Sequence, residues 1–177
     1  MFLTILNDLE RGGFIMISTL EAIKQRHSVR KYLDKPIEQD IITQLQDEIE
    51  ACNIESGLNI QLFTEEPEAF NASVSHYGNF DCVRNYIALV GNRSEDIDEK
   101  IGYYGERIAL RAQQLGLNTC WVALTFSRKK CKCVIGNNEK LPCVLALGYG
   151  VTKGVPHKSK SLESLCTTNG KEMPDWF

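Results

Sequence analysis

The chain has 177 residues, 43% of them hydrophobic and 24% charged, and a formal net charge of −3. This is the profile of an ordinary soluble globular domain with enough apolar material for a sizeable core. The acidic balance argues against a nucleic-acid binder, whose contact face is normally strongly basic, and no stretch approaches the ~20 apolar residues that a bilayer-spanning helix needs.

Residues 1–15 read as an N-terminal extension, disordered or upstream of the natural start, and 16–177 as one domain. Phe2 to Leu6 is apolar, but no cationic region precedes it and Asp8 and Glu10 follow, so a secretory signal is not expected. Met16, just behind Arg11-Gly12-Gly13, is the expected natural start. Of the seven cysteines, Cys52, Cys82, Cys120 and Cys143 sit in or beside apolar runs and read as small core residues, a usage typical of a reducing cytoplasm. Cys131-Lys132-Cys133 lacks the second pair or nearby histidine that a zinc site requires and reads as coincidence on a helical surface.

Ser18-Thr19-Leu20-Glu21 has capping-box spacing and starts a short helix running to Gln25, with Leu20 and Ile23 expected on its buried face. An extended backbone after it would point Arg26, Ser28 and Arg30 to one side, where two guanidinium forks and a hydroxyl suit a phosphate or polyol. By itself such a triplet is more often a solvated edge. His27 fits equally a ligand contact and a partly buried packing residue. Beyond Pro36, residues Ile41, Ile42, Leu45, Ile49 and Cys52 recur at helical spacing and predict a core-packing helix ending over Asn53 to Gly57. Leu58, Ile60 and Leu62 then alternate as in a half-buried strand, and 65–80 reads as a long loop.

Asn85 to Gly91 is a continuous apolar run, hence a buried strand. Ile97, Ile101, Tyr104, Ile108, Ala112 and Leu115 predict a long central helix stopped by Gly116, on which Gly105 and Ala109 would admit a close neighbour, expected to be another helix. Thr119 to Leu124 has the makings of a core strand with a buried Trp121. Ser127 is placed to cap a short basic helix ending near Gly136, Pro142 to Gly150 is a further strand, and alternation puts Lys158 and Lys160 on one side of the loop after it.

Three of these stretches, in this order, resemble the FMN-dependent nitroreductase family: Arg26-His27-Ser28-Val29-Arg30-Lys31-Tyr32 after a short helix, Leu115-Gly116-Leu117-Asn118-Thr119-Cys120-Trp121, and Ala146-Leu147-Gly148-Tyr149 followed by a basic loop. The resemblance runs from about Ser18 to the C-terminus. It implies an α+β sandwich, a mostly antiparallel central sheet packed by helices, assembled as a homodimer with FMN between subunits. It also implies that Arg26, His27, Ser28, Arg30, Lys158 and Lys160 hold the phosphate and ribityl end of FMN, and that Trp121, Val122, Ala123 and Leu124 lie along the ring. The implied chemistry is hydride transfer from NADH or NADPH through FMN to a small acceptor such as a nitroaromatic or quinone, in the cytoplasm. Many family members carry an acidic residue and then glycine where Ala123 and Leu124 stand. Some relatives also continue past a Pro-x-Trp-Phe stretch into an Asn-x-Gln-Pro motif, whereas this chain stops at Pro174-Asp175-Trp176-Phe177 and offers only Asn59-Ile60-Gln61 as a faint substitute. A flavin-storage module and a flavin-free relative are therefore the alternatives to an enzyme.

Overall fold

The computed structural model describes residues 17–71, 78–156 and 158–167. The readings for the N-terminal extension, Met16 and the C-terminal Pro174–Phe177 fall outside these residues. The chain forms an α+β domain around a four-stranded antiparallel sheet of order β1-β2-β4-β3, where β1 is Asn59–Phe63, β2 Asn85–Asn92, β3 Asn118–Val122 and β4 Glu139–Gly148.

Both faces of the central strands are buried, which is why β2 and β4 read as continuous apolar runs rather than alternating ones. Ile87 and Leu89 of β2 and Leu145 and Leu147 of β4 face one core, shared with the helices α2 (Gln39–Ser56) and α3 (Ile97–Gln114). Tyr86, Ala88, Val144 and Ala146 face a second core closed by Val29, Tyr32, Phe70 and Phe126. Each helix ends on a residue suited to stopping it: Gly57 at φ +71° after α2, and Gly116 at φ +79° just past α3. Arg107 on α3 clamps the two helices together, its Nε 2.6 Å from Glu48 Oε1 and its Nη1 2.7 Å from Glu55 Oε2.

Four expectations change. Helix α1 (Thr19–Gln25) is capped by Ser18 Oγ, which accepts from Glu21 N at 3.2 Å, but the Glu21 carboxylate accepts from Gln25 Nε2 instead of reaching back. Ala22, not Leu20 or Ile23, is its buried residue; Leu20 and Ile23 are 73% and 55% exposed. A two-turn helix contacts its neighbour through one narrow stripe, and at about 100° per residue the stripe through Ala22 excludes both. The close neighbour of Gly105 is the sheet rather than a helix: a Cβ there would stand 2.4 Å from the tip of the Trp121 ring and 3.0 Å from Leu89. Finally, the basic segment after Ser127 makes only a 3-10 turn, Arg128–Lys130, followed by irregular chain to Gly136, so Cys131 and Cys133 do not lie on a helix.

Candidate functional site

The segment leaving α1 is pinned from several sides. Val29 N donates to Thr119 O at 3.0 Å, tying it to β3, while Asp81 N donates to Arg30 O at 3.0 Å and Tyr32 N to Asp81 O at 3.1 Å, tying it to the 78–81 loop. Val151 N donates to Lys31 O at 2.9 Å from the chain beyond β4. Val29 and Tyr32 are 3% and 4% exposed, and the Tyr32 hydroxyl donates back to Val29 O at 2.7 Å. With Val29 buried between them, alternation turns Ser28 and Arg30 outward, and the alternation ends at Tyr32, which has their parity but is buried.

Arg26, His27, Ser28 and Arg30 line one cavity of about 530 Å³, with Asn79 and Thr152 on its other walls. Arg30, Asn79, Phe80, Trp121, Val122 and Ala123 line a second, of about 410 Å³. Arg30 and Asn79 belong to both, so the two cavities share a wall. The structure thus brings seven of the expected residues to two adjoining hollows. Leu124 is 83% exposed and lines neither. Lys158 and Lys160 are exposed, lie in chain that is not a strand, and line neither cavity, so the alternation argument does not apply to them. Asn59 and Gln61 are spent elsewhere: Gln61 pairs with Val134 N and O at 2.9 and 2.8 Å, and Asn59 Nδ2 donates to Glu139 Oε2 at 3.1 Å.

The chemistry of the donors suits an anion. Arg26 Nε donates to Glu106 Oε1 at 2.7 Å, which holds the guanidinium in place, while its buried Nη1 has no partner among the described residues. Glu106 Oε2 accepts from Trp121 Nε1 at 2.9 Å, so one carboxylate on α3 orients both the arginine of the first cavity and the indole of Trp121, whose residue lines the second. No ion pair involves Arg30 among the described residues, leaving its charge available. Burial pushes the Cys120 thiol beneath this segment above its ordinary pKa, against the opposing pull of Arg30, so it stays protonated. Arg128 donates to the carbonyls of Ala123 (3.1 Å), Pro142 (2.9 Å) and Leu141, fastening the end of the Trp121–Ala123 stretch to β4.

Sequence reasoning did not find Asn79, Thr152, Glu106 or Arg128. Only Glu106 carried a signal, an acidic residue next to the small Gly105 on an amphipathic helix. A third hollow, about 570 Å³ between α1, α2 and α3, is lined by Glu48, Arg107 and Arg111, but Arg107 is already paired with Glu48 and Glu55, and Arg111 donates to Gln44 Oε1 at 3.0 Å.

Fold and site define an α+β protein that sets two arginines and a serine on the wall of a cavity beside β3, the edge strand of its antiparallel sheet. The family model described as "Putative TM nitroreductase" matches residues 18–177, and the chain belongs to the nitroreductase family. Solved structures with the same fold include an "FMN-dependent nitroreductase" from Clostridium difficile, 15% identical, covering 88% of this chain and 99% of that one, with a TM-score of 0.62. A "putative nitroreductase in complex with FMN" from Desulfovibrio desulfuricans is 15% identical, with 89% and 99% covered and a TM-score of 0.66. A "putative NADH dehydrogenase/NAD(P)H nitroreductase" from Parabacteroides distasonis is 21% identical, with 85% and 97% covered and a TM-score of 0.65. No curated protein sequence matches the chain.

Proposed function

We propose that this protein is an FMN-dependent oxidoreductase that passes hydride from NADH or NADPH to a small acceptor such as a nitroaromatic or quinone. The observation that carries the reading is Arg26, its guanidinium oriented by Glu106, beside the exposed Ser28 and Arg30 on the wall of one cavity. When bound, FMN supplies hydride chemistry at its ring nitrogen N5. Arg26, Ser28 and Arg30 then bind its phosphate, whose charge of about −1.5 to −2 two arginines offset. His27, with Gly154 packed against its Cβ, closes that end. Trp121, Val122 and Ala123 border the second cavity, where a flat ring would lie beside backbone held by Arg128. No side chain is assigned a proton transfer.

The reading includes a homodimer. Its support is the apolar surface left on one chain: Leu20, Ile23 and Tyr103 are 73%, 55% and 69% exposed, on α1 and α3, two of the three helices that border the third hollow. A cytoplasmic setting accords with the free thiols of Cys52, Cys82, Cys120, Cys131, Cys133 and Cys143, and among the described residues no helix is long and apolar enough to cross a membrane.

The test is the visible spectrum of the purified chain after gel filtration with added FMN. Retained flavin bands that bleach anaerobically with NADH or NADPH support the reductase. Retained bands that do not bleach indicate a storage module, and a colourless protein overturns the flavin reading. An Arg26→Ala, Ser28→Ala double variant should lose FMN while keeping its far-ultraviolet circular dichroism; unchanged affinity would refute the phosphate assignment.

A further inference from the structure

Cys131 and Cys133 are two residues apart in an irregular stretch that the flavin reading leaves unused. Their sulfur atoms lie 3.4 Å apart, within thiol hydrogen-bonding distance, and both thiols are free and only partly buried. The proximity is imposed by the surrounding fold. Cys131 N donates to Ser127 O at 3.1 Å and Lys132 N to the hydroxyl of Tyr86 at 2.9 Å, holding the stretch to β2. Immediately beyond, Val134 is gripped through both its N–H and its carbonyl by Gln61 of β1, at 2.9 and 2.8 Å. Lys130 is tied on the near side to Glu68 Oε2 at 3.0 Å. The backbone on either side of the pair is therefore anchored to the sheet, and bringing the two sulfurs together costs little further chain entropy.

We propose that Cys131 and Cys133 form a reversible redox pair, closing to an intramolecular disulfide by exchange with a small-molecule disulfide of the glutathione class. Cys131, as thiolate, attacks one sulfur of the small disulfide, giving a mixed disulfide and releasing one small thiol. Cys133 loses its proton and displaces the second small thiol, so two protein thiols are oxidised to one disulfide and one small disulfide is reduced to two thiols. Protons from the two cysteines end on the two released thiols. The order follows from the environment: burial, with Cys131 alongside, pushes the Cys133 thiol up to about 12, which makes it the resolving rather than the attacking group. Exposed Lys129 and Lys132 flank the pair and favour an anionic disulfide such as oxidised glutathione. A disulfide across a single intervening residue closes a small strained ring, which makes it labile and easily reopened by thiol. The residue between them, Lys132, is bonded through its N–H to the hydroxyl of Tyr86, which is fully buried in the second core and stacked on Phe63.

The experiment equilibrates the full-length reduced chain in mixtures of reduced and oxidised glutathione, quenches with acid, alkylates remaining thiols and maps tryptic peptides. Trypsin cuts after Lys132, so a Cys131–Cys133 disulfide keeps the dipeptide Cys131-Lys132 tied to the peptide that begins at Cys133. The expected result is that this linkage appears in wild type, reverses on adding reduced glutathione, and is absent from Cys131→Ser and Cys133→Ser. Cys133→Ser should instead stop at a glutathione adduct on Cys131. Glutathione adducts on both residues without the linkage, a disulfide to any other cysteine, or two thiols that stay alkylatable throughout would overturn the proposal. The wild-type map decides this even if a serine variant does not fold.

Discussion

Two glycines on the same helix offer a paired test of how α3 meets the sheet. Gly102 and Gly105 both lie within Ile97–Gln114, and replacing either with alanine gains about 0.5–1 kcal/mol from reduced backbone freedom. At Gly102, which is exposed, a Cβ meets nothing within 4 Å, so Gly102→Ala should stabilise by nearly that amount. At Gly105 the same atom stands 2.4 Å from Trp121 Cη2, 3.1 Å from Trp121 Cζ2 and 3.0 Å from Leu89 Cδ1. The indole cannot swing away freely, because Glu106 holds its Nε1 at 2.9 Å, and Leu89 is fully buried. Overpacking of this kind costs about 1–3 kcal/mol. Gly105→Ala should therefore be destabilised by about 1 kcal/mol, some 2 kcal/mol below Gly102→Ala, a gap of roughly 4–8 °C in Tm for a chain of this size. Urea unfolding followed by circular dichroism, with m-values checked for constancy, reads the difference directly. Adding Trp121→Phe to Gly105→Ala should recover part of the loss by removing the clashing ring atoms. If Gly105→Ala proves as stable as Gly102→Ala, the Trp121 ring does not pack against α3 and the Glu106 bridge described above is wrong.

Other consequences are equally open to measurement. Glu106→Gln leaves one amide oxygen for two donors and should lower stability by about 1 kcal/mol, with a shift in Trp121 fluorescence; an unchanged spectrum and midpoint would rule out the shared carboxylate. Arg128→Lys cannot reproduce the fork to three carbonyls and should cost about 1–2 kcal/mol and weaken FMN retention, whereas an unaltered FMN affinity would separate Arg128 from the ring-side cavity. Lys158→Ala combined with Lys160→Ala should change FMN affinity far less than loss of Arg26 and Ser28, since neither lysine lines the cavities. The Glu38 carboxyl is held down to about 2 by Lys35, whose Nζ lies 2.7 Å away, and by the Tyr149 hydroxyl. A depressed carboxylate stabilises above its unfolded pKa and loses that contribution as pH falls through the folded value, here between about 4.5 and 2. Glu38→Gln should therefore flatten that part of the stability profile, and a wild-type Glu38 that titrates near 4 by NMR would contradict the contact.

What the sequence alone determined follows from burial pattern. Strands β2 and β4 are covered on both faces along their central lengths, so the positions Tyr86–Gly91 and Pro142–Gly148 carry no charged or amide side chain and are legible without any tertiary knowledge. Helices α2 and α3 are long enough for the 3.6-residue period to repeat, and glycines with positive φ mark their ends. Arg26, Ser28 and Arg30 were visible because they fall at alternate positions about the buried Val29, which local geometry suffices to describe.

Tertiary structure decided the rest, because periodicity carries no information about which element lies opposite. Seven residues of α1 fit more than one buried face, and only packing against α3 selects Ala22 over Leu20 and Ile23. Asn79 reaches the site because the 78–81 loop bridges to Lys31 across fifty residues of chain, and no local signal encodes that pairing. Glu106 meets Arg26 and Trp121, and the Cys131 and Cys133 sulfurs meet each other, through contacts between surfaces that each sequence segment specifies only in part. Backbone preference and burial are local properties that a sequence displays; the juxtaposition of polar groups is a property of the packed whole.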